Sequence, residues 1–182
     1  MKKLLFLLAL VCCYGCSDSE PLGYNEQDAQ RALNDMKGTY VGNILVDNIP
    51  QQISITIGDN FIVNNLPMKP ILQRVYTDEQ ELVQALRSAE IAKFTASPAN
   101  MAVNSSEFLL IMDPADLQLA VSVNGKTNIV TATISSSALI NTIYDELTLN
   151  MTVTDLFCDN RIIDVTTNRI SYFVDNAQKQ AN

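Results

Sequence analysis

Histidine is absent from the 182-residue chain. Without it the protein has no serine–histidine or cysteine–histidine nucleophile pair, no histidine zinc site and no imidazole for acid–base work. Tryptophan, a common sugar-stacking side chain, is also missing, although six phenylalanines and six tyrosines remain. Glycine is scarce at six residues, and none has the spacing of a phosphate-cradling loop or of a calcium loop. No cofactor or metal is therefore expected.

Cysteine is rare and unevenly placed: Cys12, Cys13 and Cys16 crowd one end, and Cys158 stands alone near the other. The crowded end opens with Met1, Lys2 and Lys3, followed by the apolar run LLFLLALVCC from Leu4 to Cys13. That charge-then-apolar order is the pattern of an export signal. As a helix the run would reach roughly 15 Å, about half of a roughly 30 Å hydrocarbon core, so cleavage is expected rather than membrane spanning.

The Gly15-Cys16 junction resembles a bacterial lipobox, in which a small residue precedes a cysteine that is acylated and becomes the new N-terminus. Val11 and Cys12 would fill the small position less well for Cys12 and Cys13. Where lipoboxes usually carry Leu three residues earlier, this chain has Cys13, with Tyr14 between. The resemblance implies that Cys16 carries palmitate-type acyl chains. One chain holds a protein only marginally, at about 0.8 kcal/mol per buried methylene, and two or more hold it stably. Ser17, Asp18, Ser19 and Glu20 come next and are similar to the acidic export signal of Bacteroidetes surface lipoproteins. This implies attachment to the outer membrane with display on the cell surface, the periplasmic face being the alternative.

The expected organisation is a signal peptide over 1–15, an acylated cysteine and flexible tether over 16–24, and a single β-rich domain over 25–182. Loss of residues 1–15 would take Lys2 and Lys3 with it, leaving 167 residues with 10 basic and 20 acidic side chains, a net charge of −10. Such a molecule repels phosphate backbones, so nucleic acid is not an expected partner, and acyl chains rather than a basic patch must hold the membrane. Cys158 would be the only free thiol left, which excludes an intrachain disulfide; a half-buried small hydrophobe is the expected role.

Within the domain, Asn25, Asp28, the spacing of Ala29, Ala32, Leu33 and Met36, and the closing Gly38 predict a helix over 26–37. The period then falls to two. Ile53, Ile55 and Ile57, followed after Gly58, Asp59 and Asn60 by Phe61 and Val63, predict a hairpin with Ile57 opposite Phe61 and Ile55 opposite Val63. A second hairpin is expected from Leu117, Leu119, Val121 and Val123, with a four-residue loop through Thr127 that sets Val121 against Val130. Alternation resumes over 147–153, and a turn near Asp159 and Asn160 should lead into a strand region over 161–175. Thr77 and Gln80 read as a capping box before a short helix with an apolar stripe of Leu82, Ala85, Leu86 and Ala89. The stretch SSSALINTIYDE fits either a short helix or a strand. Together these elements predict a mainly β fold, an antiparallel barrel or a sandwich, with an N-terminal helix and one further short helix.

Helix, then Gly38-Thr39-Tyr40, then a first strand resembles the start of a calycin-type barrel, with Tyr40 in place of the lipocalin tryptophan. The resemblance implies that Tyr40 plugs the closed end and that an arginine of the last strand, here Arg169, lies across it. The whole chain is similar to Bacteroidetes cell-surface lipoproteins of unknown function, from which no catalytic residues follow.

Three carboxylate pairs remain as candidates for acid–base work: Asp113 with Asp116, Asp145 with Glu146, and Asp155 with Asp159. Asp113-Pro114 reads as a turn entry, Asp145 and Glu146 precede a strand, and Asp155 and Asp159 flank a turn, where solvated acids are commonplace. The sequence thus favours a non-catalytic binding or envelope-interaction module, whose partner would be an apolar small molecule, a glycan or a protein. A carboxylate-dependent hydrolase acting on glycans is the alternative.

Overall fold

A computed structural model describes residues 31, 34–89, 92–104 and 106–181. The expected signal peptide, Cys16, the tether and the start of the N-terminal helix lie outside these residues. Residues 34–36 are helical and run through Lys37 into β1 (Gly38–Val46). The remaining strands are β2 (Ile49–Ile57), β3 (Phe61–Leu66), β4 (Ala92–Ala96), β5 (Pro98–Asn104), β6 (Glu107–Met112), β7 (Ala115–Val123), β8 (Lys126–Asn141), β9 (Glu146–Cys158), β10 (Arg161–Ile163) and β11 (Ser171–Lys179). Two helices separate β3 from β4: α1 (Lys69–Val75) and α2 (Glu79–Ser88).

The strands form one antiparallel sheet that curls into a nearly closed barrel. Around the wall the order is β4, β3, β2, β1, β11, β9, β8 and β7, and β7 lies beside β4. One edge of the long β8 pairs with β9, while its other edge takes β7 along residues 126–134 and β6 along 137–141. Strand β5 hangs on the outer edge of β6. The seam between β4 and β7 is held at one end by the Asp113 amide, which donates to the Ser97 carbonyl at 2.9 Å. Toward the other end, Ser88 and Gln84 of α2 accept from the amides of Ser122 and Asn124, so the helix satisfies edge donors that no strand pairs with.

Closure needs curvature, and three bulges supply it. The inward rows run Phe61, Val63, Leu66 on β3; Val153, Leu156 on β9; and Val174, Ala177 on β11, each skipping an extra residue. Asn65 and Asn176 take positive φ at two of these steps. An extra residue bends the strand and restores the next side chain to the inner face. The rows from all walls, with Ile71 and Leu72 of α1, pack into a single apolar cluster in which Tyr40, Phe61, Phe94 and Phe108 are almost wholly buried. The barrel is therefore filled by its own side chains, not hollow. Ser136 is the one buried polar side chain among the described residues, and its hydroxyl has no hydrogen-bond partner.

The first hairpin has the expected register, Ile57 opposite Phe61 and Ile55 opposite Val63. The second does not. Asn124 and Gly125, both at positive φ, form a two-residue turn that sets Val121 against Asn128 and Leu119 against Val130. A two-residue shift leaves every side chain on the same face, so the alternation fits both registers and the turn chemistry decides. The region 161–175 is not one strand, because a loop over 164–170 separates β10 from β11. The ambiguous SSSALINTIYDE stretch is the end of β8 followed by a turn at 142–145. Helix α2 is capped by Asp78, which accepts from the amides of Gln80 and Glu81, rather than by Thr77. Helix α1, with Pro70 in its first turn, was not expected from the sequence.

Candidate functional site

Tyr40 is buried as expected, and its hydroxyl donates to the Met36 carbonyl at 3.0 Å, tying β1 to the preceding helical turn. Burial, with the Asp145 carboxylate adding to it, pushes this phenol up to about 12. Arg169 does not lie across the ring. It stands exposed in the loop before β11, and the cation placed as the cross-strand neighbour of Tyr40 is Lys179. The Lys179 stem lies against Gly38, its ammonium donates to the Asp35 carbonyl, and Asp145 pairs with it at 3.7 Å. Gly38 has φ +151° and no Cβ to obstruct that stem.

Five of the six candidate carboxylates have hydrogen-bond or ion-pair partners of their own. Asp116 accepts from the Thr133 hydroxyl at 2.7 Å. Asp145 faces Lys179, whereas Glu146 accepts from the Gln178 amide. Asp155 accepts from Thr154. Asp159 binds Lys126 and the Ile129 amide, and these contacts lower its pKa. One hollow of about 270 Å³, between the β9 bulge and the loop after β10, counts both Asp155 and Asp164 among its lining residues. Asp164, however, is held down to about 2 by the hydroxyls of Thr166 and Thr167 and the Thr166 amide. In an acid–base pair at neutral pH one carboxyl is held protonated and the other ionised, so the depressed Asp164 fits only the ionised role.

Cys158 is half-buried, and burial followed by the Asp159 charge raises its pKa, away from a reactive thiolate. The Tyr76 hydroxyl nearby is buried without a partner within hydrogen-bonding geometry. Burial pushes this phenol up to about 12.

A second depression, about 430 Å³, opens on the outer surface between α1 and the loop before β11. Gln73, Arg74, Asn168, Arg169 and Ser171 supply its polar lining, and among the described residues no carboxylate contributes to it. Arg74 donates to the Asn168 carbonyl, which fastens the loop to the helix. Arg169 has no ion-pair partner among the described residues. Sequence reading missed this site because its residues come from two segments nearly a hundred positions apart.

The model of a protein family described as a domain of unknown function, DUF4840, matches residues 35–157. The match runs from just before β1 to the penultimate residue of β9, and β11, which joins those two strands in the wall, lies beyond it. No curated protein and no solved structure matches the chain.

Proposed function

The chain belongs to the DUF4840 family, a domain of unknown function, and we propose that it is a lipid-anchored, non-catalytic binding module of the bacterial cell envelope. In this reading acyl chains on Cys16 hold it to the outer membrane, Ser17, Asp18, Ser19 and Glu20 direct it to the cell surface, and the barrel engages its partner on the outside. The observation that carries the binding half is the filled interior: the inward rows close on one another, so an apolar ligand has no space to enter. The lipobox-like Gly15-Cys16 junction supports the anchor. The hydrolase alternative would draw on Asp155 and Asp164, of which Asp164, held ionised, fits only the base or nucleophile role.

The test is metabolic labelling with a fatty acid, followed by protease added to whole cells. The wild type should take up label and lose its domain to the protease, and Cys16→Ala should remain unlabelled and leave the membrane fraction. Label persisting on the variant would overturn the anchor, and full protection from protease would place the domain on the periplasmic face.

A further inference from the structure

We propose that the depression between α1 and the loop before β11 is a binding site for a carboxylate-bearing sugar. Two guanidinium groups, Arg74 and Arg169, line it in a chain with 20 acidic and 12 basic residues, yet no acid lies among its described lining residues. Elsewhere on the described surface, lysines 37, 69, 126 and 179 each face an aspartate, whereas Arg87, Lys93 and Arg161 have no ion pair but line neither depression. Arg169 faces none, so its five donors are open to an outside anion. A guanidinium matches a carboxylate with two parallel hydrogen bonds, and such charge-assisted pairs are stronger than neutral ones.

The loop that carries Arg169 is set in place before any ligand arrives. Val165 and Ile170 are buried on either side of its tip, Asp164 binds Thr166 and Thr167, and Arg74 binds the Asn168 carbonyl. Binding therefore orders little new backbone. The other lining groups decide between acids. Gln73, Asn168 and Ser171 offer amides and a hydroxyl rather than apolar surface, which suits a hydroxylated acid and not a fatty acid. At about 430 Å³ the depression has room for a small molecule of this class.

The proposal rests on the reading of the barrel as a module that binds on its outer surface, but the two fail separately. A missing sugar site would leave the filled interior intact, and a ligand entering the barrel would leave this site standing.

The experiment is a titration of the isotopically labelled full chain, followed by amide chemical shifts, with glucuronate, glucose and inorganic sulfate at low salt. Glucuronate should shift the amides of residues 168–171 saturably while glucose leaves them unmoved. Arg169→Gln, at an exposed position, should weaken glucuronate binding about tenfold or more without lowering the melting temperature. Gln73→Glu, which puts a like charge at the rim, should weaken it as well. The proposal is overturned if glucuronate fails to bind, if glucose binds equally, if both variants bind as the wild type does, or if sulfate binds as tightly as glucuronate, which would reduce the site to a bare anion contact.

Discussion

Gly42 of β1 lies so close to Ala177 of β11 that a Cβ built on it would fall 2.8 Å from the Ala177 Cβ and 3.1 Å from its Cα. Val174 of the same strand would be closer still, at 2.7 Å. This contact sits where β11 bulges between Val174 and Ala177, so the bulge brings backbone against a position of β1 that carries no Cβ. Gly42→Ala should therefore destabilise the protein by about 1–3 kcal/mol, the usual range for overpacking a core. Chemical denaturation checks it, and a midpoint equal to the wild type would mean that β11 can retreat at no cost.

Tyr40 should behave as a structural residue. Truncation to Ala ought to cost about 3–5 kcal/mol, as for other buried aromatics, whereas Tyr40→Phe should cost only about 1 kcal/mol, the net worth of the bond to the Met36 carbonyl. Melting curves of both variants separate the ring from its hydroxyl. Equal losses would show that the hydrogen bond, not the packing, matters.

The residues themselves explain which features could be read in advance. Strand β7 and the second half of β2 alternate cleanly because one face meets the core and the other meets water, and β3 does so up to its bulge, so these faces are legible. Strand β6, EFLLIM, was not, since Leu109 and Ile111 are exposed between the buried Phe108, Leu110 and Met112, and the apolar run has no period. Helix α1 has seven residues with a proline in its first turn, too short for a helical stripe. The resemblance to calycin barrels places Arg169 over Tyr40, and nothing local in TTNRISYF reveals that a loop, not a strand, carries it.

Stability should depend on pH at both extremes. Asp164 titrates near 2 in the folded chain against an ordinary 3.8, so its contribution is present above 3.8 and is lost as the pH falls from there through about 2. Asp164→Asn should flatten the acid limb of a stability–pH profile across that window. At the other extreme, Tyr40 and Tyr76 are raised from 10.0 to about 12, mainly by burial. Their neutral forms favour the fold fully below pH 10, and that contribution should be lost as the pH rises through about 12. Tyr40→Phe should make the alkaline limb shallower; an unchanged slope in both variants would contradict these assignments.

The central claim is that the barrel is filled by its own side chains and binds on its outer surface. It is tested most directly by titrating the full-length Cys16→Ala chain, free of acyl chains, with the fluorescent fatty acid cis-parinaric acid. A filled interior should give no saturable fluorescence enhancement and no displacement by palmitate. Stoichiometric binding, one probe per chain and displaced by palmitate, would mean that the core opens into a ligand cavity and would contradict the account.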